Sequence, residues 1–229
     1  MNTWILQKVR ARCIRRVVAW VLALGCVVLF AIAQHRYISN FLMDESFRFP
    51  GYCAIVATLL FGFFLVRLGV PAWRQLQDPS SHPVVRRVAS WGDPIGIARD
   101  AEREWRTTRH KSGGWLMTEK YFIQSTFFTF DLLQISDLLW AYKRVTKHSV
   151  NLIPTGKTYD AVFVCYGGTA VIEGYEKDVN AMLAFAAERT PWAILGFSKE
   201  LEQFFNKSNR DFCAAVKQRR RDWEQRAHS

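Results

Sequence analysis

Acidic residues are almost missing from the front of this chain. None precedes Asp44, and only Asp44, Glu45 and Asp78 occur in the first 81 positions, against nine Lys or Arg there. Cysteine is sparse: Cys13, Cys26, Cys53, Cys165 and Cys213 show no pairing pattern and no C-x-x-C spacing. That excludes a disulfide scaffold, and the thiols read as small hydrophobic residues in a reducing compartment. The five histidines (His35, His82, His110, His148, His228) keep no metal-ligand spacing with each other or with cysteine. Neither a G-x-S-x-G elbow nor an H-E-x-x-H pair is present. Gly156-Lys157-Thr158 is not a nucleotide loop, because Asn151 stands where the motif needs its first glycine and a β-type run follows instead of a helix. No repeat or low-complexity tract occurs. With 50% hydrophobic residues, a disordered chain is excluded too.

What remains is a hydrophobic, basic front and a globular back. Val17 to Ala33 runs seventeen residues without a charge, and Tyr52 to Val70 runs nineteen with only Arg67. A helix rises about 1.5 Å per residue, so roughly 17–25 apolar residues cross a hydrocarbon core of about 30 Å. Inside lipid every backbone donor and acceptor must be paired within the segment, which demands helices. Two transmembrane helices are expected, at 17–35 and 52–70, joined by a short external loop at 36–51. Lys8, Arg10, Arg12, Arg15 and Arg16 before the first span, and Arg74, Arg86 and Arg87 after the second, put both termini on the cytoplasmic side of an inner membrane. Arg67, about one turn from the inner boundary, is expected to reach the headgroups with its long stem. Ala31-Ile32-Ala33 also resembles a signal-peptide cleavage site. The apolar stretch before it exceeds the roughly 7–15 residues of such signals, however, and nothing breaks the helix there.

The expected organisation continues with a basic N-terminus at 1–16, a juxtamembrane linker at 71–92 and a cytoplasmic α+β domain at 93–229. Asp93-Pro94 reads as an N-cap followed by proline in the first turn, opening an amphipathic helix that ends at His110–Gly114. Short β-type runs follow: WLM from Trp115, YFIQSTFFTF from Tyr121, LLWAYKRV from Leu138, YDAVFVCY from Tyr159 and TAVIEG from Thr169. Pro154-Thr155-Gly156-Lys157 reads as a turn and Tyr166-Gly167-Gly168-Thr169 as a hairpin. Strands at hairpin spacing imply an antiparallel sheet folded on itself. Glu176–Thr190 is helical by Val179, Met182, Leu183 and Ala186. Trp192–Leu195 adds a short strand, and Ser198 caps one last helix with a basic end.

The runs T-E-K-Y-F-I, I-S-D-L-L-W-A-Y and Y-D-A-V-F-V, followed by a helix, resemble bacterial pleckstrin-homology-like (PH-like) domains. The wider layout, with W-G-D-P before that region and P-W-A-I-L-G-F-S before the last helix, resembles a family of uncharacterised two-span bacterial membrane proteins. The resemblance implies a bent antiparallel sheet closed by a helix, used as a scaffold or binding module, and transfers no catalytic residue.

The function expected is a non-enzymatic integral inner-membrane protein whose cytoplasmic domain binds a protein or the membrane surface. Lys143, Arg144 and Lys147, with Arg219, Arg220 and Arg221, are the residues expected to meet an anionic surface. No catalytic residue, metal ligand or cofactor is expected. The partners expected are the lipid bilayer and a membrane or cytoplasmic protein, with homo-oligomerisation open and nucleic acid excluded, because the back is only modestly basic. Two other classes stay open. One is a membrane-bound enzyme assembled from distant residues such as Asp131 and Asp160. The other is a subunit of a larger complex, with Ala23, Gly25 and Gly62 at helix contacts.

Overall fold

The computed structural model describes residues 3–41, 48–108, 114–150 and 153–227. The chain divides into two units, Met1–Gly92 together with Phe127–Thr129, and Asp93–Thr126 with Phe130–Ser229.

The first unit is helical. α1 (Trp4–Phe41) and α2 (Arg48–Gln77) are followed by a single 3-10 turn at Pro79–Ser81 and by α3 (Pro83–Ser90). Both long helices continue past the apolar runs, so the basic stretch before Val17 is helical and α2 carries Pro71 within it. Helices α1 and α2 are each long and apolar enough to cross a membrane. Leu22, Leu29, Leu59 and Phe63 are each about two-thirds exposed (65–68%). A buried core helix of a soluble domain would hide such side chains; these face outward along most of the apolar stretch. Only the basic end of α1 hides a stripe, Ile5, Val9, Cys13 and Val17, at the four-residue spacing of one helix face. The helices meet closely at Gly69, where any Cβ would run into the Trp20 indole. Trp20 in turn donates its N–H to the Leu65 carbonyl at 2.6 Å. Residues after α2 are helical as well: His82 caps α3, its Nδ1 accepting from the Val84 N–H at 3.3 Å, and Val84 and Val88 are buried.

The second unit is α+β. β1 (Trp115–Met117), β2 (Tyr121–Ser125) and β3 (Phe130–Gln134) form an antiparallel meander. β4 (Leu138–Val150), β5 (Ile153–Cys165), β6 (Gly168–Gly174) and β7 (Ile194–Leu195) form a second sheet in the order β6-β5-β4-β7, with β7 parallel to β4. The helices are α4 (Pro94–Thr107), α5 (Glu176–Arg189), α6 (Lys199–Lys207) and α7 (Asn209–Ala227).

Alternation along β5 explains the layering. Ala161, Phe163 and Cys165 face a core shared with Phe122, Leu133 and with Val179 and Ala186 of α5. Val162 and Val164 face a second core with Trp140, Trp192, Phe212 and Val216, so this sheet is covered on both sides. Phe122 and Phe163 stack across the two sheets at 4.6 Å between ring centroids. In β4 the alternation fails: Leu139 and Trp140 both join the outer core, because the register slips between Leu138 and Trp140. A bulge of this kind re-aims one side chain. Trp140 then donates its indole N–H to the Gly196 carbonyl at 2.6 Å.

Three local expectations need correction. YFIQSTFFTF is not one strand: β2 ends at Ser125 and β3 starts at Phe130, with Phe127–Thr129 grouping with the helical unit. Pro154–Lys157 is not a turn but lies inside β5, where a register slip beside the Ser149–Pro154 pair tolerates a residue without an N–H. The last helix is two, since Ser208 leaves helical geometry (φ −148°, ψ 82°) and its Oγ accepts from the Asp211 N–H.

Candidate functional site

A groove of about 600 Å³ lies in the α+β unit between β1, β6 and α5. Trp115 and Met117 come from β1, Ile172 from β6, and Ala181, Met182 and Phe185 from α5. The α5 contribution follows from helix geometry. Asp178, Ala181, Met182 and Phe185 fall at i, i+3, i+4 and i+7 and share a face, while Val179 and Ala186 turn into the core. Three acids, Glu119, Glu173 and Asp178, stand on the rim, and Tyr175 beside them is 82% exposed. No Lys, Arg or His occurs among the described residues that line it.

The Thr118 hydroxyl in the groove wall and the polar groups of the adjoining turn are already engaged. The buried Thr118 hydroxyl accepts from the Tyr121 N–H and donates to the Tyr121 carbonyl, both at 2.9 Å. Glu104 accepts from the Lys120 N–H at 3.2 Å. Burial, with Asp100 and Glu104 nearby, raises the Tyr121 phenol above its ordinary range. The groove is therefore an apolar slot with an acidic lip, and the described residues that line it include no nucleophile–base pair.

The basic residues singled out from sequence are scattered over two elements. Lys143 pairs with Glu176 at 2.8 Å, and this bond from Lys143 holds the Glu176 carboxyl below its usual range. Arg144 sits opposite Asp160 in the β4–β5 register and pairs with it at 2.9 Å. Strand alternation sends Lys143 and Lys147 to one face and Arg144 to the other. Arg220 bonds Glu224 at 2.9 Å and the Ser136 carbonyl at 3.1 Å, and lies over the Trp192 ring. Arg221 donates to Gln218; Arg219 is on the same helix, α7. Ser136 precedes β4, and the five residue-to-residue steps from Leu138 to Lys143, at about 3.3 Å each, separate the two groups by roughly 17 Å.

The carboxylates considered for chemistry do not converge. Asp160 is buried and faces Arg144, whereas Asp131 accepts from its neighbour Leu132 N–H at 2.8 Å. Among the described residues no three His, Cys, Asp or Glu side chains gather as a metal site. A smaller cavity of about 210 Å³ brings Cys165, Tyr166 and Cys213 together. Burial raises the Cys213 thiol and pushes the Tyr166 phenol up to about 12, and Tyr166 donates to the Cys213 carbonyl at 3.1 Å. A thiol held protonated is a poor nucleophile.

The groove was not legible from sequence. Met182 falls in an expected helix, but Trp115 and Met117 lie more than sixty positions earlier, and only the pairing of the strands brings them alongside.

The chain thus joins two apolar, membrane-length helices to a mixed α+β domain. Residues 97–205 match the family model of DUF6709, a domain of unknown function. The match runs from within α4 to within α6, and so takes in both sheets, α5 and the whole groove. No curated protein and no solved structure matches the chain.

Proposed function

We propose that this protein is a membrane-anchored, non-enzymatic binding module of the inner membrane, with both termini cytoplasmic and a PH-like domain that docks a partner protein. Supporting the PH-like reading are sheets of three and four strands stacked through Phe122 and Phe163, with α5 over their shared core. Orientation rests on the basic flanks of the two helices. The observation that carries the docking reading is the groove: apolar inside, rimmed by Glu119, Glu173 and Asp178. Glu119 and Asp178 on the lip repel anionic lipid and favour an apolar segment bearing Lys or Arg, so this face suits a protein partner.

Lys143, Arg144 and Lys147, with Arg219, Arg220 and Arg221, support the alternative of membrane-surface contact less well. Lys143, Arg144 and Arg220 already hold carboxylates.

The test uses the full chain in its native membrane with a photo-crosslinking residue at Tyr175 and, separately, at Lys147. A protein adduct from position 175 that disappears in Ala181→Arg supports the groove; Ala181 is exposed, so this change blocks the slot without disturbing the core. Adducts only to lipid, or an adduct indifferent to Ala181→Arg, overturn it.

A further inference from the structure

We infer that the helical unit holds an anionic phospholipid, one acyl chain lying in the slot between α1 and α2 and its phosphate on Arg16. This rests on the reading that both helices span the bilayer.

The slot measures about 390 Å³ and is lined by small residues from both helices, Ala19 and Ala23 facing Gly69 and Ala72, with the Trp20 ring beside them. Gly69 leaves room for the Trp20 indole on one wall of the slot, where Trp20 takes the Leu65 carbonyl. Its polar lining is confined to one end. Arg16 is the last charged residue before the apolar run, one turn from Trp20, and Gln75 lies near the basic end of α2. An apolar channel that opens at a cationic mouth, at the depth where hydrocarbon gives way to headgroups, has the shape and polarity of a phospholipid.

Arg16 is held for that task. Its Nε donates to the Phe128 carbonyl at 2.8 Å, which fixes the planar fork; its terminal nitrogens find no further partner among the described residues. Two parallel N–H groups of a guanidinium match two phosphate oxygens. Arg15 sits beside it, donating to the Phe127 carbonyl at 3.1 Å with its guanidinium over the Phe127 ring. Arg12 likewise bonds the Thr129 carbonyl at 3.2 Å. Three consecutive carbonyls are thereby satisfied by protein at the edge of the lipid, where water is scarce. No acid precedes Asp44, so nothing on this stretch of α1 competes for the arginines or repels a phosphate.

The experiment uses the full chain purified in a mild detergent, with phosphatidylglycerol and phosphatidylcholine as probes. Retention is read by native mass spectrometry and stabilisation by thermal unfolding. Phosphatidylglycerol is expected to be retained and to raise the unfolding temperature more than phosphatidylcholine. Arg16→Gln should weaken that preference about five- to tenfold. Ala19→Phe, which fills the slot and leaves the charge in place, should weaken retention of the same lipid. Arg16→Lys, which keeps the charge without the fork, should fall between Arg16→Gln and the unmodified chain. Equal stabilisation by both lipids, or unchanged phosphatidylglycerol retention in both Arg16→Gln and Ala19→Phe, overturns the site. A chain that alkaline extraction removes from membranes overturns the spanning reading itself, whereas an integrated but lipid-indifferent chain overturns the site alone.

Discussion

Arg144 separates two accounts of the β4 bases, and removing it gives different results under each. Asp160 is buried (its side chain 11% exposed), and Arg144, 53% exposed, lies directly across from it on β4. Removing one partner of a fully buried ion pair costs about 3–5 kcal/mol, because the other charge stays in a poor solvent. Here the arginine is half in water, which screens the pair, so roughly 1–2 kcal/mol is the expected loss for Arg144→Ala. At about 3 °C per kcal/mol for a unit of this size, the midpoint should fall roughly 3–6 °C. Arg144→Lys should recover part of this, since the charge returns without the second N–H. Asp160→Asn should cost less than Arg144→Ala, because it removes the buried charge instead of orphaning it. The double change Arg144→Ala with Asp160→Asn should cost less than the sum of the singles. Near-ultraviolet circular dichroism of the full chain in detergent reads the midpoints, and liposome sedimentation reads the surface role. Arg144→Ala with an unchanged midpoint and lost binding to anionic liposomes would refute the reasoning, leaving Arg144 a lipid ligand and not the counterion of Asp160.

The helix contact and the Tyr166 phenol give two more tests. Gly69→Ala forces the Trp20 indole from its place and its bond to Leu65, so a loss of about 1–3 kcal/mol is expected in thermal unfolding, and an unchanged midpoint would contradict this packing. Tyr166 is raised from 10 to about 12 mainly by burial, so its neutral form is favoured by folding. That contribution is complete below the unfolded value near 10 and is lost as pH rises through about 12. An ultraviolet ionisation titration should show one phenol titrating near 12 that vanishes in Tyr166→Phe; a midpoint near 10 would show the phenol exposed.

Features set by neighbouring residues were legible in the sequence. Asp93 caps α4 through the Ile95 and Gly96 N–H groups, Ser198 caps α6 through Leu201, and β5 turns into β6 at Tyr166-Gly167. The α+β class followed from those signals, as did the two apolar helices. Features set by distant partners were not legible. Phe127–Thr129 look like strand but leave the sheet, their carbonyls held by arginines more than a hundred positions earlier. Pro154 reads as a turn until its bulged pairing with Ser149 is known. The six basic residues look alike in sequence, yet Lys143, Arg144 and Arg220 are matched to acids that only the fold supplies. The groove depends on β1 meeting the α5 face, which no local pattern encodes.

Central to the proposed function is that α1 and α2, long and apolar enough to cross a membrane, do so. Alkaline carbonate extraction of membranes from cells making the full-length chain measures it directly. The account predicts that the protein stays with the membrane pellet; recovery in the supernatant would contradict it.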